Sequence, residues 1–438
     1  MAHTERLTPL DLAMPRTYIR VLLVFRAANA APAMQTLQDG LNRLVEQVPW
    51  LAGRVFSINP PVLVDKGSIA ASCNMSSQGK SMDAIAPEVW PVSGALTGDG
   101  APVFCASVFR FAPPDLDLEE GTQSVGLCVC IHHNAVDATG FTETIRLWAR
   151  NVAGSDLSCP ACKFDMSCPS SDAILALHSE YSKTPPALPP NGLALCTSKL
   201  FSIPVHWVNI PKGLLRKYAP TPPTTNVVLC ALLWTPIARV RAGRNPSLAS
   251  QTSRLVTAVN SRARINLGLS SSLPVSVSEN DEPYLVNAVI YALTPFPPWP
   301  LPPPMRSLAI ICDQISNSQS ASTIDKCHIA EVYRLWDESP LFPGWDLFGS
   351  RDVVITSWAD QDLCKVHFGG LLGRQPIVLP RRREKAEMEV LEVMLMLRVD
   401  DMRALEEDSL WQTIVSVYTL FQNFVHVCAG CGNQVPWS

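Results

Sequence analysis

At 438 residues, 47% of them hydrophobic, the chain is long enough to build two cores in place of one. A formal charge of -4 comes with no concentrated basic footprint, which argues against nucleic-acid or membrane-surface binding. The fourteen cysteines are scattered through the chain, unlike the dense framework of a small secreted scaffold.

In chain order, the first apolar run is Val21 to Phe25. Five residues are too few for a signal-peptide core, and Asp11, Arg16 and Arg20 precede them. Nothing elsewhere approaches the ~20 apolar residues that cross a bilayer. A cytoplasmic protein without a membrane partner is expected. Leu37, Leu41, Leu44, Val45 and Val48 recur at helical spacing, and Pro49 ends that helix before an extended segment at Leu51 to Val55. Residues 124–133 form a β-rich run with two apolar faces, the pattern of a strand covered on both sides. Asp137 and Gly140 then mark a turn, followed by a helical pattern through Ile145, Leu147 and Trp148.

Farther on, Thr184 to Pro190 reads as a Pro-rich linker. Beyond it a new α/β pattern begins, with a helix through Cys230, Leu233, Trp234 and Ile237 and a strand at Leu255 to Val259. Pro297 to Pro304 is irregular and leads into a helix with Leu308, Ile311 and Ile315. Arg381-Arg382-Arg383 is diluted at once by Glu384 and reads as a solvated loop. Val390 to Val399 reads as a strand, and Asp400-Asp401 open a final helix carrying Leu405 and Leu410. There is no internal repeat.

The segment His132-His133-Asn134-Ala135-Val136-Asp137-Ala138-Thr139-Gly140 carries the chemistry. Neighbouring residues on a strand point to opposite faces, so His132 and His133 do not chelate one ion. The two C-x-x-C pairs, Cys159/Cys162 and Cys428/Cys431, lie far apart and read as free thiols. No metal is expected. One histidine must face a cavity and the other the core; a buried core histidine and a catalytic base both remain open at this point. An imidazole titrates near neutrality and can take a proton from a hydroxyl as that hydroxyl attacks a carbonyl. The resulting oxyanion needs donors. No nucleophile elbow, HExxH helix, P-loop or GxGxxG turn competes.

In these residues the chain resembles the HxxxD acyltransferase family, which includes plant BAHD enzymes and fungal trichothecene 3-O-acetyltransferases. Leu7-Thr8-Pro9-Leu10-Asp11 resembles its "LSPLD" opening, and Pro49 to Arg54 its "P-x-LAGR". His133 to Asp137 supplies HxxxD. Leu232-Leu233-Trp234, Val259 to Arg264, Tyr284 to Ala288, and Thr356-Ser357-Trp358 with Phe368 to Pro376 resemble later family segments in order.

The resemblance implies an α/β fold of two chloramphenicol-acetyltransferase-like domains with a central solvent channel. The first domain would span residues 1–190 and the second 191–438, with the segment near 356–382 packing on the first. It implies an acyl-CoA-dependent O-acyltransferase in which His133 is the general base and Asp137 an orienter paired with an arginine. Thr356 and Ser357 would be hydroxyl donors to the reacting carbonyl or the acceptor. Ser261, Arg262 and Asn287 would lie on the coenzyme side. Acetyl-CoA or another acyl-CoA would be a co-substrate, with no permanently bound cofactor. The acceptor would be a small secondary metabolite, and the chain a monomer.

Some positions depart from the pattern. Ala138 and Val286 each replace a glycine, Gly370 replaces a tryptophan, and His367 stands where the family has an aspartate. That aspartate would hold Arg262, so with His367 the arginine is expected to find another carboxylate or water. Alternatives are a condensation-type amide synthase, a cyclase or lyase that kept the base, and a scaffold without activity.

Overall fold

The computed structural model describes residues 3–27, 31–56, 62–65, 100–110, 123–154, 175–186, 196–216, 222–267, 283–296, 304–346, 351–370, 372, 376–379 and 390–417. Both cysteine pairs, the arginine run at 381–383, and most of the two Pro-rich segments lie outside them.

Thr8 caps the short helix α1 (Pro9–Leu12). Its hydroxyl accepts from the Asp11 amide, and the Asp11 carboxylate accepts from the Thr8 amide and hydroxyl. After α1 come β1 (Tyr18–Ala27) and α2 (Ala31–Gln47), the latter burying Leu37, Leu41 and Leu44. β2 (Phe104–Arg110) and β3 (Gln123–His132) lead into α3 (Ala138–Ala153). On β3, Val125, Leu127, Val129 and Ile131 point one way and Cys128 and Cys130 the other, all at most 1% exposed. A strand covered on both faces has no reason to alternate polar and apolar residues. α2 packs against α3, and the Trp148 indole N–H donates to the Leu37 carbonyl at 3.0 Å.

The chain continues through β4 (Cys196–Pro204), α4 (Thr225–Arg244), β5 (Arg254–Asn260), β6 (Val289–Pro295), α5 (Pro304–Ser318) and α6 (Lys326–Glu338). It ends with β7 (Val353–Ile355), β8 (Ile377–Leu379), β9 (Val390–Arg398) and α7 (Val399–Glu407). β5 lies between β6, antiparallel, and β7, parallel. β4 pairs with β9 from Cys196↔Arg398 to Pro204↔Val390. β8 returns to the first half of the chain, where it pairs with β1 to give the sheet order β8-β1-β3-β2.

The final helix is shorter than its sequence pattern suggests. α7 stops at Glu407, and Asp408 caps a separate short helix, Ser409–Ile414, by accepting from the Trp411 amide. Leu410 sits on that second helix and is exposed, so it is no part of the α7 apolar face.

Hydrophobic packing forms three main clusters. The first surrounds β1, β3, α2 and α3, and it takes in Leu363, Cys364, Val366, Phe368 and Leu372. The second fills the space between β4, β9, α4 and α5. In the third, Leu10, Ala13 and Met14 pack against Ile290, Ile329 and Trp336. This third cluster joins the start of the chain to its second half, and it brings α1 against α6. No helix among the described residues is long and apolar enough to cross a membrane.

Candidate active site

The site is built where β3 ends and α3 begins. His132 is the last residue of β3 and is fully buried, its ring edge-on to Tyr18 at 5.1 Å. Burial pushes its pKa down to about 3, with the neighbouring His133 and Arg16 adding to the effect. It is a neutral core residue.

His133 is half-buried and extends the strand end: its amide donates to the Thr17 carbonyl at 2.7 Å. Desolvation lowers its pKa below the ordinary 6.5, although the backbone of His133 and Val136 and the Asp137 charge act in the opposite sense. Its Nδ1 is sealed from solvent. A neutral imidazole is the form a general base requires.

Asp137 does not reach for the imidazole. It caps α3 by accepting from the Gly140 amide at 2.9 Å. The same carboxylate accepts from both terminal nitrogens of Arg262, at 2.8 and 3.0 Å, and from the Ala288 amide at 2.8 Å. Aspartate and arginine side chains are each 1% exposed. A buried carboxylate with four donors is held, and it holds the turn that carries His133.

Arg262 is saturated as well. Beyond Asp137 it donates to the Asn260 side chain and to the carbonyls of Tyr284 and Val286. Its guanidinium lies over the Tyr284 ring at 5.6 Å. Asn287 donates to the Asp11 carboxylate at 2.8 Å and to the His133 carbonyl at 3.0 Å. Asn134 donates in turn to the carbonyls of Asp11 and Met14. The His133 backbone is thereby tied to α1 on one side and to residues 284–288 on the other. Gly140 completes the seam, since a Cβ there would stand 1.7 Å from the Leu285 carbonyl oxygen.

This arrangement bears on two expectations. Ser261, Arg262 and Asn287, expected on the coenzyme side, are each at most 1% exposed, with their side-chain donors committed to protein acceptors. Ser261 donates to the Ala288 carbonyl at 2.7 Å. Arg262, expected to find a carboxylate other than position 367, has one in Asp137. His367 is exposed, and its Nδ1 accepts from the Gly369 amide at 3.1 Å.

Thr356 and Ser357 are exposed on the segment that leaves β7. That segment passes the start of α3: Trp358 meets Phe141 edge-on at 6.1 Å, and Gln361 donates to the Thr139 hydroxyl at 3.4 Å. Asn260 donates to the same hydroxyl at 3.2 Å. Thr139 and Asn260 stood inside motifs without an assigned role, and no pattern in the chain marks Gln361. Asp11 and Asn287 stood inside motifs, but nothing in the sequence joined one to the other.

No protein-family model matches the chain. Among curated proteins, O-acetyltransferase ptmV of Penicillium ochrochloron is 23% identical over 92% of this chain and 95% of its own length. Trichothecene 8-O-acetyltransferase of Fusarium sporotrichioides is 23% identical over 92% of this chain and 96% of its own. Both of these relatives are fungal O-acetyltransferases. The fold agrees: the F. graminearum protein TRI101, solved with coenzyme A and T-2 mycotoxin, superposes with a TM-score of 0.66 at 16% identity. That superposition covers 94% of this chain and 99% of the other, so the two share one α/β architecture over that length.

Proposed function

We propose that this protein is an acyl-CoA-dependent O-acetyltransferase that acetylates a hydroxyl of a secondary metabolite, with His133 as general base. The observation that carries the reading is the fixed placement of His133. Asn287 holds its carbonyl, the Asp137–Arg262 pair holds the turn behind it, and the Asp137 carboxylate is directed away from the imidazole. Similarity over more than nine-tenths of the length of two O-acetyltransferases supports the choice of reaction.

With Nδ1 sealed, Nε2 is the atom that takes the acceptor's proton. The acceptor oxygen attacks the thioester carbonyl as that proton leaves, and charge collects on the carbonyl oxygen. The hydroxyls of Thr356 and Ser357 are the donors assigned to that oxyanion. Collapse expels the coenzyme A thiolate, which recovers the proton from His133. The same reading divides the chain near residue 190, returns residues 356–382 to the first half, and has a single chain act in the cytoplasm.

Incubation with acetyl-CoA and a panel of hydroxylated terpenoids, alkaloids and polyketides, followed by mass spectrometry, tests the proposal. The acceptor is expected to gain one acetyl group while one free thiol is released from acetyl-CoA. Acylation of amines alone, from a carrier-protein thioester, would replace this reading with the amide-synthase alternative.

A further inference from the structure

A second cluster of chemically competent side chains lies in the third core region, on a different part of the fold from His133. His178 and Glu180 come from the segment before the two-residue strand Tyr181–Ser182, and His328 comes from the first turn of α6. His178 and Glu331 stand 153 residues apart, so no spacing pattern in the sequence announces the group. One potential ligand atom from each residue lies within 4.8 Å of the others.

We propose that His178, Glu180 and His328 form a zinc-type divalent metal site that pins residues 175–182 to α6. His178 is 1% exposed, and both of its ring nitrogens face carboxylates. Nδ1 lies 2.8 Å from Glu180 Oε1, and Nε2 lies 3.0 Å from Glu331 Oε2. A neutral imidazole has one N–H and satisfies only one of them. The other nitrogen then meets its carboxylate through a second ring proton, through a proton held by that carboxyl group, or through a metal ion.

The neighbouring imidazole favours the ion. His328 Nε2 is buried and 3.3 Å from the same Glu180 oxygen, yet it is not aligned for a hydrogen bond to it. The two imidazole rings stand 4.6 Å apart at 52°. Two ring nitrogens and one carboxylate oxygen therefore converge on one point, a borderline-soft N₂O set that suits zinc. Glu331 completes the arrangement. It accepts from the far nitrogen of His178, which fixes the tautomer that leaves Nδ1 free for a metal. Its other oxygen is 3.6 Å from the Cys327 sulfur.

A tetrahedral ion with bonds of about 2.0–2.2 Å spaces its ligand atoms roughly 3.3–3.6 Å apart. Nδ1 of His178 has to withdraw from Glu180 by roughly half an ångström to admit it. The His328 side chain is 21% exposed, which opens a path for entry. The backbone around the cluster is already anchored: the Gly344 amide donates to the Glu180 carbonyl at 2.9 Å. A metal there adds a cross-link between this segment and the helix that packs on α1, with no part in acyl transfer.

The test uses the full chain, dialysed against a chelator and then titrated with zinc chloride, with bound metal counted by elemental analysis. One equivalent should bind, and the melting temperature should rise by a few degrees. His328→Ala should abolish binding while leaving the metal-free protein folded. Glu331→Gln should weaken binding by roughly 10–100-fold, as expected of a residue that acts through a ligand. Cobalt(II) in place of zinc separates this site from any cysteine site, because only thiolate ligands give an intense sulfur-to-cobalt band. Sub-stoichiometric binding, binding unchanged in His328→Ala, or a thiolate band would each overturn the proposal.

Discussion

The Asp137 carboxylate takes both terminal nitrogens of Arg262, and this buried pair links the turn behind His133 to the strand region of the second half of the chain. In Asp137→Asn the amide must set an N–H₂ group against donors that now meet an oxygen, from Arg262 and from either Gly140 or Ala288. Breaking one partner of a buried pair costs about 3–5 kcal/mol. The variant should therefore melt well below the wild type and lose activity with it, as should Arg262→Met. Thermal melts check this. An Asp137→Asn protein that melts normally yet is inactive would give the carboxylate a direct role in the chemistry.

The two histidines should separate cleanly. His133→Ala should lower turnover by about 10²–10⁴-fold or more with little change in melting temperature. His132→Ala removes a fully buried ring packed on Tyr18, so its main effect should be on stability. Parallel measurement of kcat and Tm for both variants decides the order. Near-normal turnover in folded His133→Ala protein would remove the base assigned here.

Acid should inactivate the enzyme late. Desolvation holds the His133 pKa below 6.5, and the base works only when neutral. As pH falls, kcat/KM should stay level through 6.5 and drop only beneath it. A profile that already declines above pH 6.5 would contradict the buried placement of the ring.

Asp11 should leave a signature in stability. Burial pushes its carboxyl from 3.8 up to about 6, against the hydrogen bonds from Thr8 and Asn287. Between those values the folded chain holds a proton that the unfolded chain has released. Stability from this group is thus greatest below the lower value, falls as pH rises through the window, and is level above it. Two pH units correspond to about 3 kcal/mol. Urea midpoints at about pH 4.5 and about pH 7 should diverge less in Asp11→Asn than in the wild type. Identical divergence in both proteins would show that Asp11 is not the titrating group.

Position 367 should be tolerant. His367 is exposed, its Nδ1 accepts from a nearby amide, and Arg262 already has its full set of acceptors. His367→Ala and His367→Asp should both stay within about 0.5 kcal/mol of the wild type. Turnover should be unchanged, and loss of activity in either folded variant would give this residue a part in the chemistry.

By itself the sequence determined the elements whose signal is local. The apolar stripe of α2, the two-faced run of β3 and the Asp137 turn before α3 follow from side-chain period and capping chemistry over a few residues. The ordered motifs carried the architecture, because a series of short matches in one order constrains a whole chain. Local signal was weaker at the end, where Leu405 and Leu410 share a helical spacing but Asp408 starts a new helix between them. Only the tertiary structure decided which polar groups meet. Arg262 stands 125 residues from Asp137, and Asn287 stands 276 from Asp11. From spacing alone, Arg262 is as available to a coenzyme as to a carboxylate. Packing removed water from around it, and a guanidinium in a dry core must spend every N–H on whichever acceptors the fold has brought within reach.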